Sequence, residues 1–272
     1  MVPSLASLPS SRQCLLAALV VTLPFLFVVG CGGGDLYSVN EGRVAQRFLP
    51  TEQSVGHHPD SLRALTITEG EGKIRYQVEQ DYQSLTEKWS SSFQSVGTGR
   101  RSRSRTYATF WSLELSLMSL QPEMGVLSLR KEKARELIDR RREKYFERIH
   151  IDVYWFVERR GESGIITGPG ARTELHVRDS TYRPVRADHG PLREAFIGGG
   201  ETILYRRNSL YFPRTVDGTD ILVKASEAEL EIRRTGASLK ERFTWKWEDD
   251  TTARLLEVKP REQTAGHLSR RR

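Results

Sequence analysis

From residue 148 to 248, apolar and polar positions alternate with a period close to two. Ile149, Ile151, Val153, Trp155 and Val157 form one such run, and Thr173, Leu175 and Val177 alternate against Glu174, His176 and Arg178. Residues 202–205 and 210–212 flank Arg206-Arg207-Asn208-Ser209, and 221–223, Ala228/Leu230/Ile232 and Phe243/Trp245/Trp247 complete the set. Successive side chains of a strand point to opposite faces, so this pattern predicts strands with one buried and one wet face. Turn formers separate the runs: Gly161, Gly164, Gly168-Pro169-Gly170, Pro184, Gly190-Pro191, Gly198-Gly199-Gly200, Pro213, Gly218 and Gly236. Asp188-His189 beside Gly190-Pro191 also reads as turn chemistry. Short strands in close succession, with no helical period between them, predict an antiparallel β-sandwich of immunoglobulin-like architecture over 148–248. A parallel doubly wound sheet would need a helix after each strand and is disfavoured.

The N-terminal half is more helical, making the class mainly β with a helical N-terminal part (α+β). Over 62–79 two patterns compete. Leu65, Ile67, Ile74, Tyr76 and Val78 about Glu69-Gly70-Glu71-Gly72 suggest a hairpin, whereas Ile74, Val78, Tyr82, Leu85, Trp89 and Phe93 follow helical spacing. The stripe predicts a helix over about 81–95. Trp111, Leu113, Leu115 and Leu117 alternate with Ser112, Glu114 and Ser116, predicting a strand over about 106–120. Residues 129–148 read as a helix with Ala134, Leu137, Ile138, Tyr145 and Ile149 on a narrow apolar face. The globular body is therefore expected over 61–250, followed by a disordered basic tail over 251–272 ending Arg270-Arg271-Arg272.

Composition adds that this body has a real core. The chain has 272 residues, 38% hydrophobic, with 10 Phe, 9 Tyr and 5 Trp, which excludes wholesale disorder and collagen-like or cysteine-rich scaffolds. The first 30 residues are different. Residues 14–29 are uncharged and apolar apart from Thr22 and Pro24, shorter than the ~20 residues of a spanning helix, and read as the apolar region of a secretory signal peptide. The stretch ends Val28-Val29-Gly30-Cys31, followed by Gly32-Gly33-Gly34-Asp35. This segment resembles the lipobox of bacterial lipoprotein precursors. The resemblance implies cleavage before Cys31, lipidation of its thiol, acylation of the new amino group and, with Gly32 rather than Asp after the cysteine, an outer-membrane rather than inner-membrane address in the cell envelope. Cys14 would leave with the signal peptide and Cys31 would be lipidated, so the mature body would have no disulfide. Residues 31–60 read as a flexible tether, in which His57-His58, without a third ligand at metal spacing, reads as solvated.

Candidate chemistry is sparse. The serine-hydrolase elbow, phosphate loop and zinc-helix motifs are absent from the sequence. Ser128 and Lys131 have Ser-x-x-Lys spacing without its partner motifs. His150 and Asp152 lie two apart on one strand face, where a carboxylate can orient an imidazole, but a solvent-facing polar pair opposite the Ile151/Val153/Trp155 face is the favoured reading. Asp217-Gly218-Thr219-Asp220 offers half a calcium loop and reads better as a tight turn. Trp245 and Trp247, on one side of a strand with Phe243, read as core rather than as a sugar-stacking row. No catalytic residue, metal ligand or cofactor is nominated.

Charge is more informative. Without Arg12, 41 basic residues face 35 acidic ones, and residues 99–148 alone carry 13 basic against 7 acidic. The mature excess of +6 thus lies in the loop Gly99-Arg100-Arg101-Ser102-Arg103-Ser104-Arg105 and the helix after it. Arg100, Arg101, Arg103, Arg105, Arg140 and Arg141 are the candidate contacts to an anionic lipid or acidic protein partner, set against a solvated helix face laced with ion pairs. An extracytoplasmic address makes nucleic acid an unexpected partner. The expectation is a membrane-anchored, non-catalytic binding or structural module of the envelope. The alternatives are an extracytoplasmic enzyme on envelope polysaccharide or peptide, and an assembly factor for an envelope complex.

Overall fold

The computed structural model describes residues 50–96, 103–121, 129–157, 164–196, 202–234 and 240–248. The signal peptide, Cys31, most of the expected tether and the basic tail lie outside these residues. Two five-stranded sheets dominate. The first has the order β1 (Glu52–Ser54), β14 (Lys240–Lys246), β13 (Glu227–Arg234), β7 (Ala171–Val177) and β8 (Ser180–Tyr182). The second has the order β4 (Ser90–Val96), β5 (Arg103–Phe110), β6 (Arg148–Val157), β10 (Thr202–Pro213) and β9 (Arg186–Phe196). Within each sheet neighbours are antiparallel, except that β1 runs parallel to β14. Two ribbons, β2 (Leu65–Glu69) with β3 (Ile74–Val78) and β11 (Thr215–Val216) with β12 (Thr219–Asp220), and three helices, α1 (Tyr82–Lys88), α2 (Leu113–Met118) and α3 (Lys131–Glu147), complete the described residues.

The sheets share one core. Leu175, Val177, Leu230, Ile232, Phe243 and Trp245 of the first sheet join Ala108, Phe110, Ile151, Val153, Trp155, Leu210 and Phe212 of the second in a single buried cluster. Phe110 lies 5.6 Å from Trp245 and 6.1 Å from Trp247 between ring centroids, and Trp245 Nε1 donates to Trp89 O at 2.8 Å. Phe243, Trp245 and Trp247 are thus core residues, each burying a large apolar surface while the indole N–H finds an acceptor.

The helix expected over 81–95 is only half a helix. Asp81 caps α1 by accepting from Ser84 N at 2.8 Å, but the chain leaves the helix at Trp89 and continues as β4. Ser90 Oγ bonds back to Thr86 O and across to Thr109 Oγ1, both at 2.7 Å, so the helix end is satisfied just where β4 takes up its ladder with β5. Phe93 then reaches the core from a strand, and the helical spacing of the stripe is overridden by pairing. The ambiguous 62–79 segment is the β2–β3 ribbon, with Gly70 N donating to Lys73 O at 2.9 Å across its turn.

The strand expected over 106–120 is a second correction. β5 ends at Phe110, and Ser112 caps α2 through Leu115 N at 3.2 Å. Every residue of α2 is buried, including Glu114, so its Leu/polar alternation does not mark a wet face. A helix enclosed on all sides lacks the one-sided stripe by which helices are recognised. The helix of 129–148 is present as α3, with Ala134, Ile138 and Tyr145 buried.

Further along, the runs at 202–205 and 210–212 are one twelve-residue strand, β10, with a register shift between Arg206 and Asn208. Asp188-His189 and Gly190-Pro191 lie inside β9 rather than in a turn. β9 is an edge strand, where a proline costs no ladder bond, and a side chain at Gly190 would meet Arg207 O at 3.2 Å. Residues 221–223 form turns, not a strand. Asp217 and Gly218, both with positive φ, are the two-residue loop of the β11–β12 ribbon, which accounts for Asp-Gly by turn geometry. The tether expected up to residue 60 gives way earlier: β1 joins the first sheet, and both His57 and His58 are buried.

Candidate functional site

The densest polar cluster forms around Asp152, in the middle of β6. Ile149, Ile151, Val153 and Trp155 face the shared core, so His150 and Asp152 point to the other side of the sheet. That side is not wet. Asp152 is fully buried, and Tyr154 and Phe156 further along it are buried beside Tyr107 and Tyr205, with Tyr107 and Tyr154 stacked at 4.5 Å. The solvent-facing reading of the pair is therefore wrong. A strand with aromatic residues on its second face is covered on both sides, a signal that Tyr154 and Phe156 carried in the sequence.

Four donors converge on the carboxylate. Trp111 Nε1 at 2.7 Å and an Arg207 terminal nitrogen at 2.8 Å reach Oδ2, while Ser209 Oγ at 2.6 Å and His150 Nε2 at 3.0 Å reach Oδ1. Ser209 is the cross-strand partner of Asp152 on β10, so register alone places the hydroxyl. The imidazole of His150 is held between two rings: Trp111 at 5.1 Å and 4°, Tyr211 at 4.6 Å and 19°. Arg186 lies over the Tyr211 ring at 5.3 Å and pairs with Asp188. Burial pushes the Asp152 carboxyl up, but the charges of His150 and Arg207 and their hydrogen bonds outweigh it and hold the group far below the ordinary carboxylate range. Its acceptor sites are filled and it stays ionised at neutral pH, so it is a poor general base. Ser209 donates to the aspartate rather than to the imidazole, and the three side chains do not form a nucleophile–base–acid relay.

Next to this hub, Asn208 is buried at the β10 irregularity. Its Oδ1 meets His189 Nδ1 at 2.7 Å, its Nδ2 donates to Gly164 O at 3.0 Å, and His189 Nε2 meets Thr167 Oγ1 at 2.9 Å. Asn208 and His189 thus clamp residues 164–167 onto the sheet.

A second polar group joins residues 57–64 to the rest. His57 Nε2 is 3.1 Å from Glu114 Oε2, Glu114 Oε1 accepts from Ala64 N at 2.6 Å, and the His57 ring meets Trp89 edge-on at 5.9 Å. His58 Nε2 is 3.2 Å from Leu222 O, and its ring meets Trp247 edge-on at 5.8 Å. Arg214, 1% exposed, spans Asp60 at 2.5 Å and Asp220 at 2.7 Å, and Tyr145 Oη donates to Asp60 at 2.7 Å. Burial raises the Asp60 carboxyl, but Arg214 and His58 outweigh it and keep the group below its usual range.

Glu174 and His176 on β7 and Glu231 on β13 bring ligand-type atoms within 4.8 Å of one another. His176 Nδ1 is 3.0 Å from Thr181 Oγ1, and its Nε2 is buried without a hydrogen-bond partner. The carboxylates, however, are already neutralised. Glu174 pairs with Arg172 at 2.6 Å and Arg183 at 3.7 Å, and Glu231 with Arg233, with Arg242 at 3.2 Å and with Lys240 at 3.9 Å. Five cations about two carboxylates leave no excess negative charge for a divalent ion, and the cluster is a cross-strand charge ladder.

Of the six arginines singled out in the sequence, four fall among the described residues, on β5 and α3. Arg100 and Arg101 lie outside the described residues. Arg103 and Arg105 sit on β5 opposite Val96 and Gln94, while the other end of β5 leads into α2. Arg141 donates to Ser119 Oγ at 2.9 Å at the C-terminus of α2, and Arg140 pairs with Glu136 on α3. From Arg105 to Phe110, where β5 gives way to the turn before α2, the strand runs ~17 Å at ~3.3 Å per residue. Lys131 pairs with Glu69 at 2.9 Å, while Ser128 lies outside the described residues.

The chain matches no protein-family model, no curated protein and no solved structure.

Proposed function

We propose that the chain is a lipid-anchored envelope lipoprotein whose β-rich body is a binding or structural module without catalysis. One observation carries the anchoring: the apolar stretch ending Val28-Val29-Gly30-Cys31 and followed by three glycines. Lipidation at Cys31, with acyl chains each contributing ~0.8 kcal/mol per buried methylene, would hold the body at a membrane. Tethering would raise the local concentration of the body against whatever it recognises. Among the described residues no helix is long and apolar enough to cross a membrane.

The non-catalytic reading is supported by how the histidines and carboxylates of the polar clusters are spent. Asp152, Glu114, Asp60 and Asn208 bind donors that join separate segments of the fold. An anionic lipid or acidic protein partner is favoured by the basic excess of 99–148, chiefly at Arg100, Arg101, Arg103 and Arg105, because Arg140 pairs with Glu136 and Arg141 donates to Ser119. Two five-stranded sheets sharing a core support a sandwich. The strand orders lend no support to the finer immunoglobulin-like layout.

The test is expression of the full chain and its Cys31→Ser variant in a lipoprotein-processing bacterium, followed by membrane fractionation and intact mass of the N-terminal peptide. The expected result is an acylated N-terminus at Cys31 in the parent chain and an unprocessed variant. Identical processing of both chains would remove the anchor and with it the envelope reading.

A further inference from the structure

We infer that Glu241 is a proton-operated latch closing one end of the core between the two sheets. Glu241 begins the inner face of β14 that continues as Phe243 and Trp245, so its carboxyl points between the sheets and is 3% exposed. Facing it are Arg234, from the end of β13, and Thr106, from β5 of the opposite sheet. Arg234 donates to Oε1 at 3.1 Å and lies over the Trp155 ring at 4.4 Å, bridging the sheets. Oε2 has no hydrogen-bond partner. Thr106 Oγ1 lies against the carboxyl, is itself buried, and lacks the geometry of a hydrogen bond.

A carboxyl held between the sheets, with Arg234 on one oxygen and no formed bond on the other, is costly to ionise. Ionised, Glu241 buries a charge whose Oε2 has no formed hydrogen bond, and Arg234 and the Thr106 hydroxyl offset only part of that cost. Protonated, it buries no charge, and Oε1 keeps its bond from Arg234. The other charges nearby do not compensate. Lys240 and Arg242 on β14 pair with Glu231 and Glu229, Arg233 on β13 with Glu231, and Arg172 on β7 with Glu174. Arg234 is 42% exposed, so water shares its charge. Burial accordingly lifts the carboxyl to about 7, with Arg234 and Thr106 pulling the other way.

The direction of the switch follows. The folded chain holds this proton more tightly than the unfolded chain, whose glutamate titrates near 4.5. The contribution to stability is complete below that value and is lost as pH rises through about 7. Above it, the carboxylate is driven towards water, which loosens the β13–β14 end from β5 and Trp155.

The experiment is a carbon-13 titration of glutamate carboxyls in the full chain in detergent, with Glu241→Gln for assignment. One carboxyl is expected to titrate within a unit of 7 and to be missing from the variant. If every glutamate carboxyl of the parent chain titrates below 5.5, the latch is overturned, whether or not the variant folds. The neutral amide of Glu241→Gln should equal the parent in denaturation midpoint at pH 5 and exceed it at pH 8. Equal pH dependence of the two chains between 5 and 8 would also overturn the proposal. In Thr106→Val, which removes a hydroxyl that favours the ionised form, the same carboxyl should titrate at a higher pH than in the parent, and an unchanged or lower value would remove Thr106 from the latch.

Discussion

Trp111 and His150 stack face to face, 5.1 Å between centroids and 4° between planes, and each reaches a different oxygen of the same Asp152 carboxylate. Trp111 belongs to the turn after β5 and His150 to β6, so Asp152 binds together elements that meet only in the fold. Asp152→Asn turns one acceptor oxygen into a donor facing donors, and should cost about 3 kcal/mol in urea denaturation. The pH dependence has a definite sign. The folded carboxyl titrates below the unfolded value near 3.8, so its contribution is present above that value and is lost as acid is added. The parent chain should lose stability below pH 4 more steeply than the variant; equal acid limbs would show that Asp152 contributes nothing through its charge.

Arg214 should be more costly to lose than any surface arginine. It is buried between Asp60 and Asp220, with Nε and a terminal nitrogen each committed to a different carboxylate. Arg214→Ala should destabilise by about 3–5 kcal/mol, and the effect should persist in 0.5 M salt because a buried pair is poorly screened. Arg214→Lys should recover less than half of the loss, since an ammonium cannot reproduce the two-pronged geometry. Full rescue by lysine would mean that charge alone matters here.

Glu114 is expected to hold residues 57–64 against the body. Glu114→Ala leaves the Ala64 amide and the His57 ring buried without their acceptor, an expected loss of about 2–3 kcal/mol in thermal unfolding. Hydrogen exchange adds a local readout: the Ala64 amide should lose protection while amides in the middle of β6 keep theirs. Unchanged protection at Ala64 would assign the anchoring of this segment to ring packing on Trp89 and Trp247 instead.

The ion pairs on the outer face of α3 should matter little. Arg140→Ala and Lys133→Ala break pairs between half-exposed side chains, and each should change stability by less than about 0.5 kcal/mol. The same separation bears on partner contacts. Replacing Arg100, Arg101, Arg103 and Arg105 together by serine should weaken salt-sensitive binding to phosphatidylglycerol vesicles, whereas replacing Arg140 and Arg141 should leave it within twofold. The reverse pattern would move the contact surface to α3.

Sequence reading finds β13 and β14, where one face is enclosed and the other largely wet, and it finds β6 from the apolar face alone, missing that its second face is covered too. α3 shows a narrow stripe because its far side is hydrated. Failures follow from enclosure or edges. α2 is surrounded, so Leu113, Glu114 and Leu115 are equally buried and periodicity reports nothing. β9, at a sheet edge, tolerates Gly190-Pro191 and hides behind turn formers. Trp89 ends a helix rather than continuing one because three serines and a strand partner follow it. The Asp152 cluster was half visible: His150 and Asp152 are neighbours in sequence, while Trp111, Arg207 and Ser209 come from distant segments that only register and packing bring together. His57 and His58 read as linker because local composition says nothing of the tryptophans that wait for them elsewhere in the chain.

Pairing of Glu52 with Thr244 has a consequence for the order of synthesis. Among the described strands β1 is made first and its partner β14 last, so the first sheet cannot close until β14 has emerged. Contacts this distant in sequence slow folding. The strand pair that seals the finished body therefore also leaves the nascent chain open until its last described strand is made.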